Sequence, residues 1–446
     1  MNDLPSGWVE TTLDTVADWG SGGTPKAGTA SYYGGPIPWA IIGDLTDGIV
    51  RKTAGTITEL GLRNSSAKVI DTDVVLIAMY GSIGKLGLPV IPMATNQAIA
   101  FARPRSGVLM RGYLFYYLMH ARHRLAAAGK GATQQNISQT ILKAWRVQLA
   151  PFGEQQRIVA AIEEQFSRLD AGVAALERVR QNIKRMRAAI FESAVTEWAG
   201  EGFPQMRLGD VLREPLRNGH SAKTDPLGTI PILALTAVTL DDFGAHNIKM
   251  TAADPRRVRD LWIQPGDLLI ERSNTRELVG TACLYRGLPN LAVYPDLIIR
   301  ARVNGRVVPE YAELVLKAPR SRLYFQQRAQ GISGTMPKID QQAIEDLVFT
   351  LPPPEVQAAI VQEAERKLTL LGSLQKNLEL VAKRSSALRS SILTAAFSGQ
   401  LASQDPKDEP ASILLERITA AHTASNGHKP TRTMSKRRAP QEKVVV

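Results

Sequence analysis

The segment from Ile158-Val159 to Ile190-Phe191-Glu192-Ser193-Ala194 recurs, without a gap and at a constant offset of 202, from Ile360-Val361 to Ile392-Leu393-Thr394-Ala395-Ala396. Each copy follows a proline-bearing exit, Leu149-Ala150-Pro151 or Leu351-Pro352-Pro353-Pro354, and each is preceded by about 150 residues of mixed, strand-like sequence. Solenoids and propellers repeat every 20–50 residues or so, so a period this long is the duplication of a whole domain-plus-helix module. A chain built this way does one job at two places.

The duplicated segments carry heptad spacing. In the first copy Leu169, Leu176, Val179, Ile183, Met186 and Ile190 fall on one stripe; in the second Leu371, Leu374, Leu378, Val381, Leu388 and Ile392 do the same. Alternating steps of three and four keep such a stripe facing a partner helix. Each helix is predicted to run about 44 residues, roughly 65 Å at 1.5 Å per residue. A lone globular domain rarely needs a helix of that length, so the two copies are expected to pair with each other in antiparallel fashion.

The modules themselves read as strands and turns. Pro36-Ile37-Pro38-Trp39-Ala40-Ile41-Ile42 and Asp73-Val74-Val75-Leu76-Ile77 are apolar runs bounded by turn residues, and a helix is predicted over Tyr113 to Ala128. The second module repeats this order with strands at Ile230 to Leu235 and Pro265 to Ile270 and a helix over Tyr311 to Gln327. The offset grows from about 193 at the first strand to 202 at the last loop, so the element order holds while loop lengths differ. One scaffold with two loop sets is expected to bind two different things.

A formal net charge of +12 favours a polyanion as partner. Much of it is local: Lys429, Arg432, Lys436, Arg437, Arg438 and Lys443 against Glu442 put +5 into the last eighteen residues, a tail without apolar periodicity and expected to be disordered. One cysteine, Cys283, excludes a disulfide framework and a thiolate metal cluster, in keeping with a reducing cytoplasm. The absence of a long apolar run or signal peptide predicts a soluble, cytoplasmic protein.

Signals for catalysis are weak. Gly81-Ser82-Ile83-Gly84-Lys85 ends like a phosphate loop, but Leu86 stands where Ser or Thr should hold magnesium. Gly20 to Lys26 is not framed by a strand and a helix. His120 and His123 share a helix face without a third ligand, so no metal site is expected, nor does any pair of acids suggest acid/base work. No methyltransferase Asn-Pro-Pro-Tyr, helicase phosphate loop or nuclease carboxylate cluster occurs.

Signals for binding are stronger. The loop Thr133-Gln134-Gln135-Asn136 follows Gly129-Lys130-Gly131, combining amides suited to adenine with a lysine suited to phosphate, and its counterpart holds Ser333, Thr335 and Lys338. After the Asp73 and Asp267 strands come Tyr80, Ser82 and Lys85 in one module and Arg272, Ser273, Asn274 and Arg276 in the other. Different residues at one place on a repeated scaffold are what two readers of different sequences require.

These residues resemble the specificity subunit of type I restriction-modification systems. The similarity lies in Leu4-Pro5-Ser6-Gly7-Trp8, Gly22-Gly23-Thr24-Pro25, Tyr33-Gly34-Gly35-Pro36-Ile37-Pro38-Trp39, Tyr80 to Lys85, Glu154-Gln155-Gln156-Arg157-Ile158-Val159, and Leu388 to Leu401 followed by Asp405 to Ile418. The second module lacks the Tyr-Gly-Gly and Gly-Ser-Ile-Gly-Lys forms, and the basic extension after Ser425 lies beyond the pattern. The resemblance implies an α+β chain: two mixed α/β target-recognition domains related by pseudo-twofold symmetry, separated by two long antiparallel coiled-coil helices. The expected divisions are 1–152 for the first recognition domain, 153–199 for the first helix, 200–353 for the second domain, 354–402 for the second helix, and 403–446 for a short helix and tail.

It further implies a non-enzymatic subunit that binds a bipartite double-stranded DNA site and holds two modification (methyltransferase) subunits carrying S-adenosylmethionine. Restriction subunits using ATP and magnesium would join them. No cofactor is expected on this chain. The competing expectation is a helical adaptor that binds only proteins.

Overall fold

A computed structural model describes residues 4–129, 136–197, 202–331 and 336–426. The chain divides into two compact units, one holding the described residues up to Val173 and from Lys383 onward, the other Ala174–Ala382. The tail after Asn426 lies outside the described residues, and Ala411–Asn426 is a helix.

In the first unit Val9–Thr12 pairs antiparallel with Arg146–Leu149, closing the two ends of the module on each other. A five-stranded sheet follows the spatial order Ala17–Ser21, Ile99–Pro104, Val75–Ala78, Leu86–Pro89, Gly48–Val50. Its centre is Val75-Leu76-Ile77-Ala78, all four buried. Side chains alternate across a strand. Val75 and Ile77 accordingly enter a core shared with the helix Arg111–Ala127, while Leu76 and Ala78 enter a second core with Leu45, Val50 and Met93. A smaller sheet, Gly55–Ile57, Tyr33–Ala40, Met93–Thr95 and Val69–Ile70, covers that outer side.

The second unit repeats the plan. Gln205–Arg207 pairs with Val348–Thr350. The main sheet runs Arg217–Asn218, Ile298–Ala301, Leu268–Glu271, Ala282–Leu284, the first sheet's order without its last strand. Leu268 and Ile270 face the helix-side core and Leu269 the outer one. The outer strand Ile230–Leu233 makes an antiparallel pair with Ile248–Thr251 and a parallel bridge from Ile232 to Val293, as Tyr33–Ala40 does with Gly55–Ile57 and, at Trp39 and Ala94, with Met93–Thr95. The matched order expected from the sequence is therefore present in three dimensions.

The helix predicted over Tyr311 to Gln327 is broken. It forms Pro309–Lys317 and Pro319–Arg328, with Ala318 extended at φ −60°, ψ 138°. Pro319 has no N–H to continue the ladder and excludes the preceding residue from helical geometry. The apolar match to Arg111–Ala127 had concealed that stop.

The duplicated segments are single helices, Phe152–Thr196 and Pro354–Phe397. In the first unit the beginning of one lies beside the end of the other: Arg389 pairs with Asp170 and its guanidinium lies 4.7 Å over the Phe166 ring. In the second unit Ile190, Ser193 and Ala194 line a small cleft with Ala359, Ile360 and Ala364. Opposite halves meet, as antiparallel helices require.

The heptad stripe needs a correction. Ile183, Leu371 and Ile392 are buried and Leu169, Leu176, Ile190 and Leu378 half-buried, but Val179, Met186, Leu374, Val381 and Leu388 remain 44–53 % exposed. One facing helix leaves the rim of a stripe in water. Full burial occurs where a helix also meets a sheet domain, at Ile158, Ile162 and Phe397 in the first unit and at Ile360 and Ala364 in the second. Among the described residues no helix is long and apolar enough to cross a membrane.

Candidate nucleic-acid interface

The loops that the sequence marks as binding elements leave the central strand of each main sheet at the same end. In the first unit the chain exits Val75–Ala78 through Met79 and Tyr80, turns, and returns as Leu86–Pro89. The Met79 amide donates to the Ala98 carbonyl at 2.8 Å, and the Ile137 amide donates to the Met79 carbonyl at 3.0 Å. Tyr80 and Asn136, 56 positions apart, are thereby held on neighbouring segments. In the second unit the Arg272 amide donates to Leu297 at 2.7 Å and the Ile339 amide to Arg272 at 2.9 Å, so the same two-bond stitch brings the Arg272 loop beside Lys338.

The first turn is rigid. Gly81 and Gly84 have φ of +63° and +75°, values that favour glycine, and a Cβ on Gly84 would stand 2.9 Å from Cγ of Arg122. Arg122 Nε donates to the Gly84 carbonyl at 2.9 Å while both of its terminal nitrogens reach the Asp47 carboxylate, one at 3.0 Å. Asp47 also accepts the Leu86 amide at 2.9 Å. This bidentate pair fixes the turn, leaving Tyr80 and Ser82 exposed and Lys85 half-buried.

The second turn differs in chemistry. Glu271, fully buried at the end of its strand, accepts from the Thr239 hydroxyl and, at 2.7 Å, from the Asn274 amide. Burial raises its carboxyl pKa against these two hydrogen bonds. Arg322 and Gln326, on the helix Pro319–Arg328, donate to the Glu277 carbonyl at 3.0 and 3.3 Å and tether the turn. Arg276 and Lys338 are exposed and Arg272 is half-buried.

Two sequence-derived readers are corrected here. Ser273 is only 2 % exposed, and its backbone forms a bridge with Lys338. Asn274 donates its amide to Glu271 and accepts the Thr275 amide at 2.8 Å with its carbonyl oxygen, so both ends of its side chain already have partners within the turn. Lys130, Thr133, Gln134, Gln135, Ser333 and Thr335 lie outside the described residues.

Sequence reasoning passed over Asp47, Arg122 and Glu271, whose roles depend on partners 75 and 32 positions away. Gln155 was legible only as part of a motif and Gln357 not at all, yet the two share a sequence signal: they occupy one position of the duplicated helix. His120 packs against the Phe397 ring at 5.5 Å between centroids, and burial lowers its pKa. Among the described residues no three or more His, Cys, Asp or Glu side chains group as metal ligands.

A repeated frame of sheets and long helices thus carries polar loops that differ between copies. A family model for the type I restriction modification DNA specificity domain matches residues 5–184. The type I restriction enzyme EcoKI specificity subunit of Escherichia coli K12 is 27% identical over 463 residues, covering 97% of this chain and 99% of that one. The StySPI specificity subunit of Salmonella potsdam is 24% identical and covers 96% and 98%. Among solved structures, the HsdS subunit from Thermoanaerobacter tengcongensis superposes with a TM-score of 0.52 at 18% identity over 89% of this chain and 98% of that one. A chain from work on assembly and conformational transition of the type I R-M system gives 0.70 at 18% identity, covering 90% and 100%. These two show the fold. Over nearly its whole length the chain is thus similar to type I restriction-modification specificity subunits.

Proposed function

We propose that this chain reads a bipartite double-stranded DNA site, one half per module, and holds two modification subunits at it. The observation that carries the reading is the repeated loop stitch with unlike contents: Tyr80, Ser82 and Lys85 beside Asn136 in one module, Arg272 and Arg276 beside Lys338 in the other. Phosphate contacts from Lys and Arg give affinity and register, whereas polar groups at base edges give specificity. Lys130, Thr133, Gln134 and Gln135 would add to the first reader, Ser333 and Thr335 to the second. The catalytic work belongs to the partners: S-adenosylmethionine on the modification subunits, which methylate adenine, and ATP with magnesium on restriction subunits. This chain itself performs no chemistry and carries no cofactor, and it acts in the cytoplasm where the DNA is.

The test is DNA binding by the assembled complex as salt is raised. Affinity is expected to fall steeply and linearly on logarithmic axes, and Arg276→Ala or Lys338→Ala is expected to reduce that slope by about one. A complex whose footprint shows no sequence preference at any salt concentration contradicts the proposal.

A further inference from the structure

We propose, resting on the reading of a bipartite site, that two buried glutamines set the spacing between half-sites. Gln155 and Gln357 are each the fourth residue of a long helix, and each is fully buried. The Gln155 amide nitrogen donates to the carbonyls of Val108 at 2.9 Å and Ala150 at 3.0 Å, and its oxygen accepts the Met110 amide at 2.9 Å. Gln357 donates to Arg306 at 2.9 Å and Pro352 at 2.7 Å and accepts from Val308 at 2.8 Å.

The two clamps match bond for bond although the sequences around them do not. Val108 and Met110 become Arg306 and Val308; the neighbour Glu154 becomes Val356. Every partner is a backbone group, so a domain of any side-chain composition engages the clamp in the same way. A primary amide offers two donors and an acceptor in one plane. Bonded at all three, it ties the first turn of the long helix to the strand that leads into it and to the segment that starts the domain's own helix, at Arg111 or Pro309. At each junction one buried side chain thus holds three segments together.

The consequence is geometric. One base-pair step is about 3.4 Å and about 35° of rotation. A tilt of about 10° at the root of a domain about 20 Å tall displaces its far loops by about 3.5 Å, one step of the duplex. Discrimination between spacer lengths therefore demands junctions stiffer than this, and the clamps supply the stiffness twice.

The experiment uses the full chain assembled with its methyltransferase subunits and DNAs whose spacer is native, one base pair shorter or one longer. Gln155→Met and Gln357→Met are each expected to shrink the native-to-altered ratio of methylation rates at least tenfold. Tyr113→Phe removes a bond of similar burial, 2.7 Å to the Gln148 carbonyl, outside the clamp; it is expected to lower thermal stability and leave the ratio unchanged. Folded glutamine variants with the wild-type ratio, or a Tyr113→Phe ratio reduced equally, overturn the inference. In the wild-type chain the Met110 and Val308 amides are expected to exchange hydrogen as slowly as the central strands, and exchange at loop rates also overturns it, even if the variants fail to fold. A wild-type complex that reads sequence but not spacing refutes the clamp alone, whereas one that reads neither refutes the recognition reading.

Discussion

Exchanging residues 9–150 for the equivalent segment of a relative with a different target is expected to change one half of the methylated site and leave the other half intact. The exchanged segment carries the Tyr80 and Asn136 loops together with the sheets that position them, and its core is separate from that of the second module. It is attached to the long helices through the carbonyls of Val108 and Ala150 and the amide of Met110, which any relative supplies, and through apolar packing such as that of Tyr113 and Tyr117 on Phe397, which the incoming segment has to match. Each mismatched base pair costs about 1–3 kcal/mol, so losing a half-site of several base pairs removes most of the roughly 4–10 kcal/mol that separates specific from non-specific binding. Methylation of the original site is expected to fall at least about a hundredfold, read by sequencing methylated adenines. A change in both halves, or in neither, contradicts the modular assignment.

Replacing Glu313 by Ala is expected to destabilise the second module by about 3 kcal/mol, at the low end of the range for breaking a buried ion pair. The Glu313 carboxylate is 5 % exposed and accepts the Leu284 amide at 3.1 Å, the Arg286 guanidinium at 2.6 Å and the Lys317 ammonium at 2.6 Å. Its loss strands a strand amide beside a largely covered lysine. Lys317 keeps Asp241 at 2.8 Å and Arg286 is half in water, which holds the penalty to that low end.

Burial pushes the Glu313 carboxyl up, but Lys317 and Arg286 outweigh it and hold the group below its usual range. A depressed carboxyl contributes stability above its unfolded pKa, near 4.3, and loses it as pH falls through the folded value. The gap between wild type and Glu313→Ala in urea unfolding is therefore expected to be full at neutral pH and to close in acid. A variant as stable as the parent at pH 7 contradicts the account.

What could be read in the sequence was whatever local periodicity controls. The long helices follow from repeated three-and-four spacing, and the strand around Val75 from a continuous apolar run between turns. Pro319 was equally visible, yet the apolar likeness of Tyr311 to Gln327 to the first module's helix outweighed it. The loops proposed to bind stand out by polarity, but polarity says nothing of burial: Ser273 is buried beside its bridge to Lys338, and Asn274 is bonded to Glu271. Arg122 could not be singled out, since its partner Asp47 lies 75 residues away. Gln155 and Gln357 stood at one position of the duplicated helix, and only their backbone partners reveal why.

This chain is proposed to choose the DNA sequence. Mapping methylated adenines in DNA from cells with and without its gene tests that most directly. A two-part motif with a fixed unspecified spacer is expected, methylated on both strands and lost entirely when the gene is removed. Persistence of every methylated motif without the gene contradicts it.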